Sequence, residues 1–524
     1  MATETVIPVQ EQSQSVFRRI LRKCFSFPVL LGALLVVFNA VLMLPMFRLE
    51  PDTWWHLKLG QQILLTGHWL KADIYSFTAQ GNNPLAFEWL GEVTLALAYK
   101  IGGLRGLHTL LFGLTSVIVV LVYYFASLRS RSSKAAFAAT ILIIPLATMC
   151  FTLRPQLLGY IFLIITLICL ERYRQGLQKS LWILPPLFLI WVNTHGSFII
   201  GFCLLGLYWV CGLVPFEAGG LKMEPWKPRQ RIHMEIVFLL GTLMLPLTPF
   251  GGQACIFPIE KALYFPQQSA HIQEWYPLNF SLWEAKMMLL LLFGLLLAQV
   301  AFRLSHNVSE LFLVFFTAYM SCVHTRFVIL FAIMFAPVAA TVLARWAPSY
   351  EAKNDKPLIN AVLIIAIVLA IARAIPSTKE LAKRASKQFP VRAVHYLQQH
   401  SVPGPMYNGY GYGGYLLWAM GPKHKVFIDG RGDFYEQAGV FSDYISVQDI
   451  HPDALAILRS YRINSCIIPR KTPLATLLRA GTDWKEIYKD PLSSIFVRNK
   501  QFQPTAMTDA SPIQPATKTI PPKS

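Results

Sequence analysis

The chain has 524 residues, of which 54% are hydrophobic and only 14% are charged. Soluble proteins of this size carry about a quarter of charged residues, so the composition excludes an ordinary soluble enzyme and indicates an integral membrane protein. The formal net charge of +19 does not indicate nucleic-acid binding, because the basic residues stand in short loops between apolar runs.

Apolar runs predict an α-helical bundle, residues 28–374, with about eleven transmembrane helices. The predicted spans are Pro28–Phe47, Leu107–Leu128, Ala135–Phe151, Leu157–Leu170, Leu181–Val192, Phe198–Val214, Ile236–Leu247, Ala285–Phe302, Leu311–Cys322, Val328–Ala344 and Leu358–Ala372. Basic residues before the first span place the N-terminal tail, residues 1–27, in the cytoplasm.

The first loop, residues 48–106, is therefore expected outside. Apolar residues at helical spacing predict a surface helix over Asp52–Gly67. Glu88–Ile101 is interpreted as a second surface helix, with a short span as the alternative. Counting it as a span would place every later basic loop outside, for example Arg129–Lys134 and Arg172–Lys179. The charge pattern therefore favours the surface helix.

After the bundle, residues 375–499 predict an extracytoplasmic α/β domain, and residues 500–524 a disordered tail rich in Pro, Thr and Ser. The expected helices are Val391–His400, Ala454–Tyr461 and Leu474–Ala480, and the expected strands are Val426–Asp429, Ser465–Ile468 and Ile495–Arg498. Gly409–Gly414 is interpreted as a strand-to-helix turn. The segment Asp429–Asp433 is either a structural turn with an Asp–Arg pair, which is the favoured interpretation, or a lid.

Polar residues that could take part in catalysis or binding occur in the loops predicted to lie outside. They are Glu50, Asp52 and His56 after the first span, Glu88 before the second surface helix, Arg154, the pair Asn193 and His195, Glu274, and Arg326. A carboxylate at a membrane boundary needs a charged or hydrogen-bonding partner, or has a functional role. An arginine on the outer side often binds an anion such as phosphate. Each residue also has a structural explanation; Asp52, for example, is a candidate helix N-cap.

No motif of a nucleotide-driven motor or a zinc protease occurs, and no Cys or His spacing is typical of a metal site. No cofactor is assigned from the sequence, and a divalent metal stays an open alternative.

The first loop resembles the GT-C superfamily of membrane glycosyltransferases, in the branch with aminoarabinose transferases and protein O-mannosyltransferase relatives. The resemblance rests on Asp52, the helix after it, Gly67-His68-Trp69 and Phe87-Glu88-Trp89-Leu90. The chain departs from that pattern where Pro51 separates two acids and where Trp89-Leu90 replaces Pro-Pro.

This resemblance implies a bacterial inner-membrane enzyme that moves a hexose or pentose from a polyprenyl-phosphate carrier to a lipid, glycan or protein acceptor. It implies that Asp52 and Glu88 are catalytic. Arg154 and Arg326 would then contact the donor phosphate, and the remaining candidates, Glu50, His56, Asn193, His195 and Glu274, would bind substrate. The alternatives are a transporter or lipid flippase, which requires polar residues at the membrane midplane, and a non-catalytic envelope assembly protein.

Overall fold

The computed structural model describes residues 22–83, 87–264, 270–348 and 350–499. Most of the N-terminal tail and all of the C-terminal tail, for which cytoplasmic location and disorder were predicted, lie outside these residues. The helices are α1 Phe27–Met43, α2 Pro51–Thr66, α3 Trp89–Ser130, α4 Ser133–Thr148, α5 Gln156–Arg174, α6 Leu184–Val192, α7 Phe198–Cys211, α8 Pro228–Met244, α9 Gln253–Tyr264, α10 Trp283–Phe302, α11 Val308–Val323, α12 Val328–Leu343, α13 Pro357–Ala374, α14 Thr378–Gln388, α15 Val391–Gln399, α16 Tyr410–Met420, α17 Gly432–Gln437, α18 Val440–Gln448, α19 Ala454–Ser460 and α20 Pro473–Ala480.

The strands fall into two sheets. The first has the order β1 Phe216–Ala218, β2 Leu221–Met223 and β3 His306–Asn307, and the second has the order β4 Met406–Asn408, β5 Ser465–Pro469, β7 Ser493–Arg498 and β6 Trp484–Lys489. Four 3₁₀ helices complete the described elements: Gln178–Ile183, Gln273–Trp275, Thr325–Phe327 and Ala352–Asn354.

The chain divides into two compact units. The first comprises residues 1–49, 87–258 and 272–381, and the second comprises residues 50–86, 259–271 and 382–524. The sequence did not indicate that the first loop packs with the C-terminal part, because such a contact joins segments more than 300 residues apart and leaves no periodic pattern.

The first unit is the helix bundle. Five of its described helices are long and apolar enough to cross a membrane: Trp89–Ser130, Gln156–Arg174, Trp283–Phe302, Thr325–Leu343 and Pro357–Ala374; five shorter apolar helices accompany them. The chain is a multi-pass membrane protein, and each predicted span falls on a helix. Helix α12 lies at the centre, with 14 of its 16 residues buried, and packs against α3, α4 and α11. Helix α13 instead exposes its apolar side chains, as a lipid-facing helix does.

The surface helix predicted over Glu88–Ile101 and the span predicted over Leu107–Leu128 are parts of one long helix, α3. Its backbone breaks at Gly103, where φ is 56° and ψ is −138°. Beyond the break the chain turns so sharply that a Cβ on Gly106 would lie 2.0 Å from the carbonyl oxygen of Ala98. Glycine is favoured at position 103 because a positive φ is costly for other residues. The boundary that the sequence predicted between the two elements therefore coincides with this break.

The second unit is built around the sheet β4-β5-β7-β6, in which β4 and β5 run parallel and the other pairs are antiparallel. The predicted strands at Ser465 and Ile495 and all three predicted helices are present. The strand expected over Val426–Asp429 is wrong, because this segment forms only an isolated bridge between Val426 and Ser76 of the first loop. Its apolar residues are buried without a ladder partner on either side.

Glycines in the segment 409–414 allow α16 to pack closely on its neighbours. A Cβ on Gly414 would lie 2.2 Å from the carbonyl oxygen of Pro51 in α2, and one on Gly413 would lie 2.0 Å from that of Ile428. Because β4 ends at Asn408 and α16 begins at Tyr410, the predicted strand-to-helix turn is confirmed at Gly409, whereas Tyr410–Gly414 form the beginning of the helix. Its glycines serve helix packing, since a side chain at either position would collide with backbone.

Candidate functional site

In the bundle, two arginines share one carboxylate. Arg154 Nη1 donates to Glu274 Oε2 at 2.9 Å, and Arg326 Nη1 lies 3.6 Å from Glu274 Oε1. The side chains are 17%, 31% and 22% exposed for Arg154, Glu274 and Arg326. They are thus partly desolvated, which strengthens their interaction. Together these three groups carry one net positive charge, the condition for attracting an anion.

Two short turns carry Glu274 and Arg326. The guanidinium of Arg326 lies 4.3 Å from the ring centroid of Trp275, a cation–π contact. The Nδ1 of His324 lies 2.7 Å from the carbonyl oxygen of Trp275, and the backbone N–H of Thr325 donates to Tyr276 at 3.0 Å. The 3₁₀ turns that carry Glu274 and Arg326 are therefore tied to each other.

A second group in the bundle pairs Glu88 with His195. The His195 Nε2 lies 3.6 Å from Glu88 Oε1, with both side chains less than one fifth exposed. The backbone N–H of Ser197 donates to His195 Nδ1 at 3.1 Å. Because a backbone N–H can only donate, Nδ1 must be an acceptor, and the proton of the neutral ring stands on Nε2, on the side of Glu88. Such a pair can hold a proton at Nε2 or pass one between imidazole and carboxylate.

Asn193 is fixed by protein groups. Its Oδ1 accepts from Trp89 Nε1 at 2.8 Å, and its Nδ2 donates to the carbonyl oxygens of Leu189 and Leu247 at 2.8 and 3.2 Å. The backbone N–H of Leu90 donates to the carbonyl oxygen of Asn193 at 3.1 Å. Asn193 therefore ties the start of α3 to the end of α6, and it positions both Glu88 and His195.

The first turns of α5 lie between these two groups. A Cβ on Gly91 would lie 2.6 Å from Pro155 Cβ, next to Arg154. A Cβ on Gly159 would lie 2.4 Å from Ser197 Oγ and 3.4 Å from His195 Nδ1. Six residues predicted from the sequence thus come together in the first unit around the start of α5: Glu88, Arg154, Asn193, His195, Glu274 and Arg326.

The other three predicted residues, Glu50, Asp52 and His56, stand together at the start of α2 in the second unit. Glu50 is the N-cap, in a reciprocal capping arrangement with Thr53. The expectation that Asp52 caps this helix is wrong, because the cap is Glu50 and the helix begins at Pro51, two residues before the start that a cap at Asp52 would give. The carboxylate of Asp52 therefore lies in the first turn, where the helix dipole favours a negative charge.

Asp52 has a close backbone neighbour. Its Oδ1 accepts from Trp55 Nε1 at 3.3 Å, and a Cβ on Gly430 would lie 1.9 Å from the same oxygen. His56 is 4% exposed, and its ring centroid lies 3.5 Å from that of Trp55. Only glycine at position 430 leaves room for the Asp52 carboxylate, so the segment Asp429–Asp433 forms one wall of this group.

The segment Asp429–Asp433 is a structural turn, as the sequence favoured. Arg431 donates to both oxygens of Asp429 at 2.8 and 2.6 Å, and to Asp73 Oδ1 at 2.9 Å. Tyr435 donates to Asp429 Oδ2 at 2.7 Å. We refer to Asp73, Asp429, Arg431 and Tyr435 as the buried ion network. Asp73 was missed by sequence reasoning, since nothing in its local pattern points to a partner more than 350 residues away.

An open groove of about 890 Å³ is also present in the second unit. Its lining combines aromatic rings with amides and two basic side chains: Tyr396, Tyr415, Trp418, Tyr488, Gln61, Gln398, Gln399, Arg392 and His395. Trp418 packs on Trp54 at a centroid distance of 4.7 Å. Flat apolar faces next to amide donors and acceptors are suited to a ligand that has both apolar faces and hydroxyl groups.

Among the described residues, no group of three or more His, Cys, Asp or Glu side chains could hold a metal ion. The described acids and imidazoles therefore do not fit a resident divalent metal.

Neither a protein-family model nor a curated protein sequence matches the chain. Solved structures do. The apo oligosaccharyltransferase of Archaeoglobus fulgidus is 12% identical, with 84% of this chain and 69% of that chain covered and a TM-score of 0.49. Its complex with an inhibitory peptide and a dolichol-phosphate is 13% identical, with 91% and 74% covered and a TM-score of 0.49.

ArnT from Cupriavidus metallidurans, bound to undecaprenyl phosphate, is 13% identical, with 89% of this chain and 97% of that chain covered and a TM-score of 0.49. These neighbours are of the GT-C type, the superfamily that the first loop resembles. At these identities and TM-scores the likeness assigns no activity and no residue role to this chain.

Proposed function

We propose that the chain is a membrane glycosyltransferase that transfers a sugar from a polyprenyl-phosphate donor to an acceptor outside the cytoplasm. The observation that carries the proposal is the net positive cluster of Arg154, Glu274 and Arg326. From the charge pattern of the loops, we infer that this cluster lies on the outer side of the membrane, where the positive-inside rule disfavours arginine. The GT-C resemblance implies that this membrane is a bacterial inner membrane. Binding of a lipid-linked phosphate would account for two partly desolvated arginines at this depth.

In this proposal the arginines act on the leaving group. When the bond between the sugar and the phosphate oxygen breaks, negative charge grows on the phosphate. Guanidinium groups already fixed in place stabilise that charge without reorganising. Glu274 holds Arg154 and Arg326 in position before the donor binds, and the phosphate then shares both guanidiniums with it.

The acceptor must lose a proton as its oxygen or nitrogen attacks the sugar carbon. Asp52 is proposed as the base, in line with the position that the GT-C resemblance gives it. The pair Glu88 and His195 is proposed to orient the acceptor, since the Glu88 carboxylate, 3.6 Å from His195 Nε2, can accept a hydrogen bond from an acceptor hydroxyl. The aromatic groove of the second unit offers a surface for a hydroxyl-bearing acceptor.

A transporter or flippase finds less support. The buried mid-helix polar residue Asn39 donates to Thr115 Oγ1 and Ser116 Oγ at 3.0 and 3.1 Å. These bonds tie α1 to α3, and such ties between helices are common in membrane proteins. Thr140 and Thr317 bond to carbonyl oxygens of their own helices. The donor groups of these three side chains therefore bond to neighbours on their own or an adjacent helix.

The test is transfer of radiolabelled sugar from defined polyprenyl-phosphate sugars to extracted envelope acceptors by the purified chain in lipid nanodiscs. Asp52→Asn should lower kcat by at least about a hundredfold, because general-base catalysis supplies about that much. The exposed acid Asp449 provides the control variant Asp449→Asn, which should transfer normally. Arg154→Gln should raise the donor KM and lower kcat, whereas Arg105→Gln, which changes an exposed arginine, should do neither. Full turnover by folded Asp52→Asn and Arg154→Gln would contradict the proposal.

A further inference from the structure

A small cavity opens on the first unit, at the end opposite to the cluster of Arg154, Glu274 and Arg326 along α5. It measures about 400 Å³ and lies between α3, α5 and the segment 177–183. Its apolar wall is formed by Leu121, Ile165, Ile168 and Ile183. Ile183 is 51% exposed, as befits a side chain in contact with lipid.

One end of the cavity is basic. Arg172 and Lys179 line it, and no acidic side chain does. The guanidinium of Arg172 lies 5.5 Å from the ring centroid of Tyr124 and donates to its hydroxyl. This contact holds the guanidinium at the rim. The acid next in sequence, Glu171, is buried and accepts from Gln175 at 2.8 Å.

The helical spacing orders these residues along the membrane normal. Ile165, Ile168 and Arg172 stand at i, i+3 and i+7, so they share one face of α5 and span roughly 10 Å along its axis. Leu121 and Tyr124 repeat the order on α3, with the apolar residue first and the polar residue second. Both walls therefore change from apolar to polar or basic in the same direction, as a bilayer does from acyl chain to headgroup.

The turn that carries Lys179 is fixed as well. The hydroxyl of Ser180 donates to the carbonyl oxygens of Cys169 and Leu177 at 2.9 and 2.8 Å. Lys179 therefore projects from an ordered turn. Basic pockets between transmembrane helices on the cytoplasmic side bind anionic headgroups, and each basic residue near such a surface contributes about 1 kcal/mol.

We propose that this cavity binds an anionic membrane phospholipid, with its phosphate at Arg172 and Lys179 and the upper part of one acyl chain along the apolar wall. The charge at the rim and the apolar depth below it match this amphiphile, whereas a free phosphate would leave the wall unused. The proposal is independent of the proposed glycosyl transfer, because it uses none of the residues assigned to that reaction.

The experiment is native mass spectrometry of the full chain in detergent, with phosphatidylglycerol and phosphatidylcholine of identical acyl chains added in turn. The wild type should retain phosphatidylglycerol preferentially. The double variant Arg172→Gln and Lys179→Gln should lose roughly 30-fold in its affinity, at about 1 kcal/mol for each charge. The control double variant Lys227→Gln and Arg229→Gln removes the same charge from exposed positions and should retain the lipid.

A second variant tests the apolar wall. Ile183→Gln should weaken retention of phosphatidylglycerol without affecting folding, because this side chain is half exposed. Equal retention of the two lipids by the wild type would overturn the proposal, and so would equal loss in the two double variants. Competition by inorganic phosphate, or stronger retention of undecaprenyl phosphate than of phosphatidylglycerol, would overturn the assignment to a phospholipid.

Discussion

Replacing Arg431 with methionine removes the only cation from the buried ion network and keeps much of the side-chain volume. Arg431 is 5% exposed, Asp429 is 0% and Asp73 is 1%. In the wild type the guanidinium faces both carboxylates, and Asp73 also accepts from the backbone N–H and hydroxyl of Ser76 at 2.8 and 2.6 Å. Without the guanidinium, two buried carboxylates face each other, so the first loop should detach from the C-terminal part of the second unit.

The magnitude follows from burial. Removing one partner of a buried ion pair costs about 3 to 5 kcal/mol, because the remaining charge is left desolvated. Arg479 and Glu486 provide the matched comparison, with an N–O distance of 2.9 Å and 39% and 17% exposed side chains. An exposed pair contributes about 0 to 1 kcal/mol. Arg431→Met should therefore destabilise the second unit several-fold more than Arg479→Met.

Hydrogen exchange measured peptide by peptide is the suitable assay, since a protein with two units has no single unfolding midpoint. Peptides around Asp73 and Asp429 should lose protection by a factor of roughly a hundred or more in Arg431→Met, the factor that corresponds to 3 kcal/mol. Protection in α12 of the bundle serves as an internal reference. Equal protection in Arg431→Met and Arg479→Met would refute the inference that the network holds the first loop.

Three further outcomes are expected. Gly159→Ala should lower glycosyl transfer, because its Cβ would collide with Ser197 Oγ at 2.4 Å, whereas Gly206→Ala, which meets nothing within 4 Å, should not; normal transfer by Gly159→Ala would contradict this. Burial raises the pKa of the Cys466 thiol. The folded chain therefore keeps the thiol proton near pH 8.5, about the unperturbed pKa of a thiol, where the unfolded chain loses it. The stabilisation that this proton gives the second unit should therefore fall as pH rises above about 8.5 in wild type but not in Cys466→Ser, as protection in hydrogen exchange would show. Trp418→Ala should raise the acceptor KM and leave the donor KM unchanged in transfer kinetics; an unchanged acceptor KM would remove the groove from the proposed function.

Local features of the fold were predictable from the sequence. The helix expected over Asp52–Gly67 is present as Pro51–Thr66, because its apolar spacing is a local signal and Glu50 and Pro51 favour a helix start. Strands were harder to predict. The three residues of β4 are too few for a pattern, and β6 reads Trp-Lys-Glu-Ile-Tyr-Lys, in which charged residues break the alternation. Val426–Asp429 has a strand-like composition without a partner that completes a ladder.

The candidate site was predictable only as a set of residue types. The outer ends of the predicted spans supplied the acids, arginines and imidazoles, but their pairing was not predictable. Arg154 with Glu274 and Glu88 with His195 are separated by more than 100 residues in sequence, and a one-dimensional pattern does not record which loops approach each other. The same limit applies to Asp73 and Arg431 in the buried ion network.

Glycines, rather than the charged residues themselves, decide how closely the charged groups of the bundle approach. Gly91 lets the start of α3 lie against Pro155, and Gly159 leaves the space occupied by Ser197 and the ring of His195. A methyl group at either position would push α5 away from one of the two groups that it lies between. Because an ion pair weakens as its atoms separate, such a shift would loosen Arg154 from Glu274 or His195 from Glu88 with every charge retained. The spacing of the two groups is therefore a property of helix packing, and substitutions at Gly91 and Gly159 separate the effect of geometry from the effect of charge.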